Sequence, residues 1–422
     1  MDALTAFSDA SLHEIRRDLH AHAEAGWKEF RTTALLAVEL EALGYEVHLG
    51  ADAVNPDGRM GVPPADEVAA ARERALEAGA PSEYVDRMDD ITGAVAVGRF
   101  GDGPTIGIRT DIDALERQEA MGDDHRPARE GFASRHPGEM HACGHDAHAA
   151  IGLGVARAFA EGGFDGTLKL FFQPGEEGGR GGKPMAESGH LDDVDHLLAV
   201  HVGLDEEVGT LVSSYDAPLS NAKLDVTFEG APAHAGGAPH AGRNALQAMT
   251  AAIQNLYAIQ RHGEGVTRIN VGQVASANAQ NVISEEARMR VEVRGGTHDL
   301  NEYMLGRARE VVDGAATMHD VDYGTSLYGK TTTFENDASV VEAIERAAAD
   351  VDGVERTIQK TFGGSEDASY LIRRVQERGG TAAYFGVGGS NPDGHHTAYF
   401  DVDEACIDVG VDVIVDAVTR LA

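Results

Sequence analysis

The sequence is short of lysine. Its 422 residues hold only six lysines, and arginine makes up the rest of the 35 basic side chains that stand against 70 acidic ones. The formal net charge is 35 − 70 = −35. A surface of that sign repels phosphate backbones and anionic lipid, which argues against nucleic acid and membrane surfaces as partners. The acidic residues are spread along the whole chain, as suits a protein kept soluble in concentrated salt, where the Debye length shrinks to about 3 Å at 1 M. A salt-adapted, halophilic protein is expected, with an ordinary acidic enzyme as the alternative.

Cysteine is scarcer still. Two cysteines in 422 residues cannot build a disulfide framework and fit a reducing cytoplasm. Long apolar runs are missing, and none approaches the roughly 20 residues of a membrane span. The opening MDALTAFSDASLHEIRRDLH lacks a basic segment followed by an apolar one, so no secretory signal is expected. At this length two domains are expected rather than one core.

The strand and helix signals alternate at first. AVAVGRF, TIGIRTDID, TLKLFFQPGEE and HLLAVHVG read as strands, and AHAAIGLGVARAFAEGG reads as a helix apolar nearly all round, hence buried. Ser11 is placed to cap a helix with Leu12, Ile15 and Leu19 on one stripe. This is the pattern of a mostly parallel α/β sheet with helices on both faces. From about residue 217 the order becomes strand, helix, two strands, helix, strand, a ferredoxin-like arrangement. The expected division is a catalytic domain of 1–216 and 331–422 with an α+β domain of 217–330 inserted; AAYFGVGG (382–389) returns to the first sheet. Residues 51–90 read as a surface helical insertion, more simply decoration than function.

Carboxylates and imidazoles gather where the strands stop. TIGIRT runs into Asp111 and Asp113, LKLFFQPG into Glu176 and Glu177, LLAV into His201, and AYFGVGGSNPDG towards His395 and His396. In open α/β sheets ligands bind beyond the carboxyl ends of the strands. Adjacent residues of a regular strand face opposite ways, so Glu176 and Glu177 can share a site only because Pro174-Gly175 breaks the strand before them.

The stretch GEMHACGHDAHAA (138–150) brings Cys143, His145, His141 and His148 near that edge. A cysteine nucleophile with a histidine base needs no converging carboxylates. A structural zinc site calls for paired spacings such as C-x₂-C, which are absent. GEEGGRGGKP is no phosphate loop, because Glu177 and Pro184 occupy positions that motif reserves for glycine and Ser/Thr. A metal hydrolase site explains the set best, with His141 and His148 read as packing or supporting residues.

These pieces, with RRDLHAHAEAGWKEFRT, GAPAHAGGAPHAGRNAL, NVISEEARMRVEVRGGT, GGSEDASYL and GHHTAYFD, resemble the M20 metallopeptidase family in the amidohydrolase branch that carries HACGHD. The resemblance runs nearly the full length. Within the branch, the 51–90 insertion and the residues before HACGHD resemble hydrolases of p-aminobenzoyl-glutamate. The resemblance implies two divalent metal ions, zinc or manganese, bridged by the Cys143 thiolate and completed by His145, Glu177, His201 and His396. His396 is preferred to His395 because the family places its histidine just before a Ser/Thr. It also implies Glu176 as general base and Asp113 as the carboxylate that orients a ligand. His234, Asn281 and Arg294 match substrate-binding positions of relatives, where the histidine arrives from a partner chain, so a homodimer or a heterodimer with a related chain is expected. The implied reaction is hydrolysis of the amide between an acyl or aroyl group and an amino acid, p-aminobenzoyl-glutamate or a similar folate fragment. A general hippurate-type hydrolase is one alternative, and a non-catalytic regulatory chain is the other.

Overall fold

The computed structural model describes residues 6–391 and 393–422. In chain order the first elements are α1 (Leu12–Ala21), α2 (Phe30–Ala42), β1 (Glu46–Leu49), α3 (Ala65–Glu77), α4 (Ser82–Met88), β2 (Ala94–Arg99), β3 (Thr105–Asp111), α5 (Arg126–Glu130), α6 (His145–Ala160), β4 (Thr167–Gln173), α7 (Gly182–Ala186), β5 (His196–Val202) and β6 (Thr210–Asp216). There follow β7 (Ser220–Glu229), α8 (Ala245–Tyr257), β8 (Thr267–Ala275), β9 (Glu286–Gly295), α9 (His298–His319) and β10 (Asp322–Lys330). The chain closes with α10 (Ala338–Asp350), β11 (Arg356–Thr361), α11 (Ala368–Glu377), β12 (Thr381–Val387) and α12 (Ala405–Leu421). Two compact units divide these elements. One is Ala217–Thr333 with Gly363–Glu366, and the other takes the rest.

The larger unit is built on an eight-stranded sheet of order β1-β2-β4-β3-β5-β12-β6-β11. Its centre, β4-β3-β5-β12, is parallel throughout, while β1, β2 and the β12–β6 pair introduce antiparallel contacts. Alternation along the strands separates two cores. Leu198, Val200 and Leu170 join one hydrophobic cluster, and Leu197, Ala199 and Phe171 join the other. Both faces of the sheet are thus covered, which is why its strands read as continuous apolar runs. Helix α6 lies in the first core with Ile151, Leu153 and Val155 fully buried. At its start α1 has the capping box expected of Ser11: Ser11 Oγ accepts from the Glu14 amide at 3.2 Å and Glu14 Oε2 accepts from the Ser11 amide at 2.9 Å.

The parallel centre fixes where chemistry can sit. Strands β3, β4, β5 and β12 all end at one edge of the sheet, so the residues that follow them emerge together.

The smaller unit is the expected ferredoxin-like fold. Its strands pair antiparallel in the order β10-β7-β9-β8, with α8 and α9 packed on one face over Leu224, Val226 and Phe228. Asn244 and Thr297 cap the two helices by accepting from the Gln247 and Leu300 amides. Thr331 lies beyond β10 and extends the unit, because its amide donates to Asn221 O and its hydroxyl accepts from the Asn221 amide. No helix among the described residues is long and apolar enough to cross a membrane.

Candidate metal centre

The five candidate ligands are presented by four segments of the larger unit. Cys143 precedes α6 and His145 is its first residue. His201 is the penultimate residue of β5. After β4 the chain breaks at Pro174-Gly175 and turns, and Gly175 takes a φ of 58° that a side chain would strain. The turn then points two successive amides at one carboxylate. Glu176 N donates to Asp113 Oδ1 at 2.9 Å and Glu177 N to Asp113 Oδ2 at 3.0 Å. Asp113 therefore orients the glutamate pair through its backbone, while its own carbonyl accepts from His145 Nδ1 at 2.9 Å.

His396 reaches the same place from the loop after β12. Its amide donates to Ala142 O at 2.8 Å, its φ is 60°, and its Nε2 lies 3.4 Å from Glu177 Oε1. A non-glycine residue in the left-handed region costs of order 1–3 kcal/mol and persists where its surroundings hold it. The neighbouring His395 serves the fold instead: Nε2 accepts from the Leu204 amide at 3.3 Å and Nδ1 meets Asn391 Nδ2 at 3.0 Å.

The result is two groups of donor atoms with one member in common. Cys143, His145 and His201 form one, Cys143, Glu177 and His396 the other, and within each the donors lie within 4.8 Å of one another. His145, Glu176 and Glu177 form a further group of that size. The tautomers suit ligation. His145 and His201 each turn Nδ1 to a backbone carbonyl, at 2.9 and 2.8 Å, which leaves Nε2 as the lone-pair nitrogen. His145 Nε2 is buried without a hydrogen-bond partner, and His201 Nε2 lies 3.5 Å from Cys143 Sγ. Thiolate, imidazole and carboxylate donors arranged this way fit divalent metal ions.

Electrostatics agree that the cluster lacks positive charge. Burial is the largest influence on His145 and works against its protonation, but Asp111 and Cys143 outweigh it and raise the imidazole well above its usual range. Cys143 and then Glu177 push His396 up to about 10. His201 goes the other way, driven well below its usual range by burial and by His148. The negative groups around His145 and His396 thus favour positive charge there, the sign a divalent cation would bring.

Behind the ligands stands a buried layer around His148, which the sequence reads as a packing or supporting residue. His148 Nε2 accepts from the Val202 amide at 2.7 Å, so its Nδ1 carries the proton and donates to Asp111. Val202 O in turn holds His201. Arg109 Nη1 lies 3.0 Å from Asp111 and Nη2 3.3 Å from Asp367. Asp367 accepts the Gly181 and Gly182 amides at 3.1 and 2.7 Å, which anchors the far end of the glutamate turn. Asp111 stands in plain view at a strand end; nothing in the spacing ties it to His148. His141 is fully buried outside the donor groups, and neither ring nitrogen has a hydrogen-bond partner among the described residues.

Three candidate residues belong to the smaller unit. His234 and Asn281 are neighbours there: Ala235 N donates to Asn281 O at 2.9 Å, and His234 bridges to Val282. His234 Nδ1 accepts from the Gly236 and Gly237 amides, so Nε2 carries its proton. Arg294, on β9, gives Nε and Nη2 to Glu292 Oε1 at 3.2 and 2.9 Å. Glu292 thus occupies the fork expected to take a substrate carboxylate.

Comparison with known proteins settles the lineage. Residues 107–420 match peptidase family M20/M25/M40. The chain belongs to the M20 family. Among its relatives, the indole-3-acetyl-aspartic acid hydrolase of Enterobacter agglomerans is 43% identical, with 94% of this chain and 93% of that protein covered. One of the chains of the p-aminobenzoyl-glutamate hydrolase of Escherichia coli (strain K12) is 41% identical over 98% of this chain and 97% of its own. The crystal structure of an aminobenzoyl-glutamate utilization protein from Klebsiella pneumoniae superposes with a TM-score of 0.83 at 36% identity, covering 97% and 95% of the two chains. This M20 chain is a hydrolase of amide bonds by that membership, and its donor groups are candidates to hold divalent metal.

Proposed function

We propose that this M20 chain is a two-metal amidohydrolase that cleaves the amide between an aromatic acyl group and an acidic amino acid. The observation that carries the reading is the pair of donor groups sharing Cys143, with Glu176 beside Glu177 on the same turn. The substrate class rests on two relatives, one named for indole-3-acetyl-aspartic acid and the other for p-aminobenzoyl-glutamate. Both pair an aromatic acyl group with a dicarboxylic amino acid, and p-aminobenzoyl-glutamate is the substrate put forward here.

In this reading Cys143, the residue common to both donor groups, would hold the ions together with His145, His201, Glu177 and His396. Divalent cations held there would supply Lewis-acid activation of a water and of the scissile carbonyl. Glu176 would accept the proton of the attacking water on a carboxylate oxygen and return it to the departing nitrogen, a role worth typically 10²–10⁴-fold. The Asp113 and Val202 carbonyls hold His145 and His201 in the ligating tautomer, and His148 and Asp111 back Val202 from behind. His234, Asn281 and Arg294 are assigned to substrate binding on their matched spacing. Zinc and manganese are the candidate ions. The Escherichia coli relative is named as one chain of a larger enzyme, which supports a partner here, either a second copy or a related chain.

The test is a panel of N-acyl amino acids with Zn²⁺ or Mn²⁺ supplied, varying acyl group and amino acid separately. Aroyl-glutamates should be cleaved fastest, and Glu176→Gln should lower kcat by about 10²–10⁴-fold while the metal stays bound. Equal turnover by Glu176→Gln would remove Glu176 from the mechanism. No amine release from any substrate, alone or with a companion chain, would leave a non-catalytic protein.

A further inference from the structure

The proposed reaction gives no task to the insertion at 51–90, yet its first turns press on the machinery. Asn55 N donates to Pro184 O at 3.0 Å, and Trp27 Nε1 donates to Met60 O at 2.8 Å. The Arg59 guanidinium lies 5.6 Å from the Trp27 ring centre. Trp27 is the chain's one tryptophan, it is 1% exposed, and its φ is 69°. The same ring backs onto Gly175, where a Cβ would come within 3.4 Å of it. Trp27 is therefore packed between the insertion and the residue that opens the glutamate turn.

Arg180 makes the second link. Its Nε donates to Glu177 O at 2.8 Å and its Nη1 to Gly61 O at 3.3 Å. The guanidinium is buried, and it fills the space beside Gly26, where a Cβ would collide with Nη2. Gly26, directly before Trp27, thus leaves the room that the guanidinium occupies.

The turn needs such ties. Five of the eight residues 175–182 are glycine, a composition with little stiffness of its own. Asp113 secures the amides of Glu176 and Glu177, Asp367 secures those of Gly181 and Gly182, and Arg180 takes the Glu177 carbonyl. The first two tethers end on the sheet and α11; the third ends on the insertion.

We infer that Arg180 is a positioning residue that clamps residues 55–61 of the insertion to the turn carrying Glu176 and Glu177, so that the insertion is part of the catalytic apparatus. The inference rests on the proposed hydrolysis for its kinetic consequence and on geometry alone for the clamp. A base displaced by a fraction of an ångström loses its near-attack alignment, and such misplacement costs up to about 10²-fold in rate.

The experiment uses the full chain loaded with Mn²⁺ and p-aminobenzoyl-glutamate as probe. Arg180→Met removes the donors, and Gly26→Ala crowds the guanidinium without changing its charge. Both should lower kcat about 10- to 100-fold with KM within about twofold and metal content unchanged. Arg180→Lys should fall between, and guanidinium ion should partly restore Arg180→Gly. Emission from Trp27 should shift to the red in Arg180→Met, a readout that needs no activity. Unchanged emission together with unchanged kcat overturns the clamp, as does a loss of kcat that merely follows lost metal. If the wild type cleaves nothing while the emission still shifts, the clamp stands and the proposed hydrolysis falls.

Discussion

At the scale of single residues, one buried charge that bears on stability is the imidazole of His20, outside the donor groups. His20 is fully buried, with Nδ1 2.8 Å from Asp146 and Nε2 3.0 Å from Glu119. Burial pulls its proton away, but the two carboxylates prevail and raise it to about 9. Arg16 shares Asp146 at 2.8 Å, and Glu119 is pressed down to about 2, burial notwithstanding, by His125 and His20. A histidine whose folded pKa exceeds its unfolded value near 6.5 contributes stability in full below 6.5 and loses it as pH climbs through 9. The urea midpoint should therefore fall between pH 6.5 and 9.5, by a stability of at most about 3 kcal/mol, and His20→Asn should flatten that limb. Equal wild-type midpoints at both ends would show that His20 is not an imidazolium. His141, 6.2 Å away ring to ring, is the opposite case: burial first, then the charges of His20, His145 and Arg16, hold it down to about 3 against the pull of Asp146. Little of this is legible in the sequence. His20 meets partners 99 and 126 residues distant, and only the fold decides which histidine is hydrogen-bonded by carboxylates and which is not.

At the scale of elements, much more can be read. Strands β2, β3, β4, β5 and β12 are announced by apolar runs because both faces of the sheet are covered, and the ends of β3, β4, β5 and β12 lie at one edge. Strands β1, β6 and β11 give no such signal. RTIQKT is an edge strand largely open to solvent, and TLVSSYD buries serines that hydrogen-bond rather than pack, as Ser213 does with Glu345. Sequence alone shows that Pro174-Gly175 must break β4 to aim two glutamates together. It does not show that the turn is organised by a carboxylate at the end of the neighbouring strand. Asp113 receives two amides with two oxygens, whereas asparagine offers one acceptor and sets an NH₂ group against the other amide. Asp113→Asn should accordingly lower kcat about 10- to 100-fold with the metal retained, the range usual for partners that orient ligands. Full kcat in that variant, measured at saturating substrate, would mean that the turn holds its shape without Asp113.

At the scale of the whole molecule, the excess of acid over base sets how the protein answers to salt. Exposed pairs such as Arg346–Glu342 and Arg99–Glu46 weaken as ions are added, but each is worth about 0–1 kcal/mol at most. Repulsion among 35 uncompensated negative charges acts in the other direction, favouring expansion of the chain when it is unscreened. Raising KCl from 0.1 M to 1 M shortens the Debye length from about 10 Å to about 3 Å, below the spacing of most surface carboxylates, so the repulsive sum shrinks faster than the local pairs do. The melting temperature should rise over that interval and climb more slowly beyond it, because screening has by then acted at nearly every range that counts. Sucrose, which excludes itself from protein surface without screening charge, should raise it with no such break. A melting temperature that falls as KCl increases would mean that the ion pairs outweigh the net charge, and that the scarcity of lysine is no adaptation to salt.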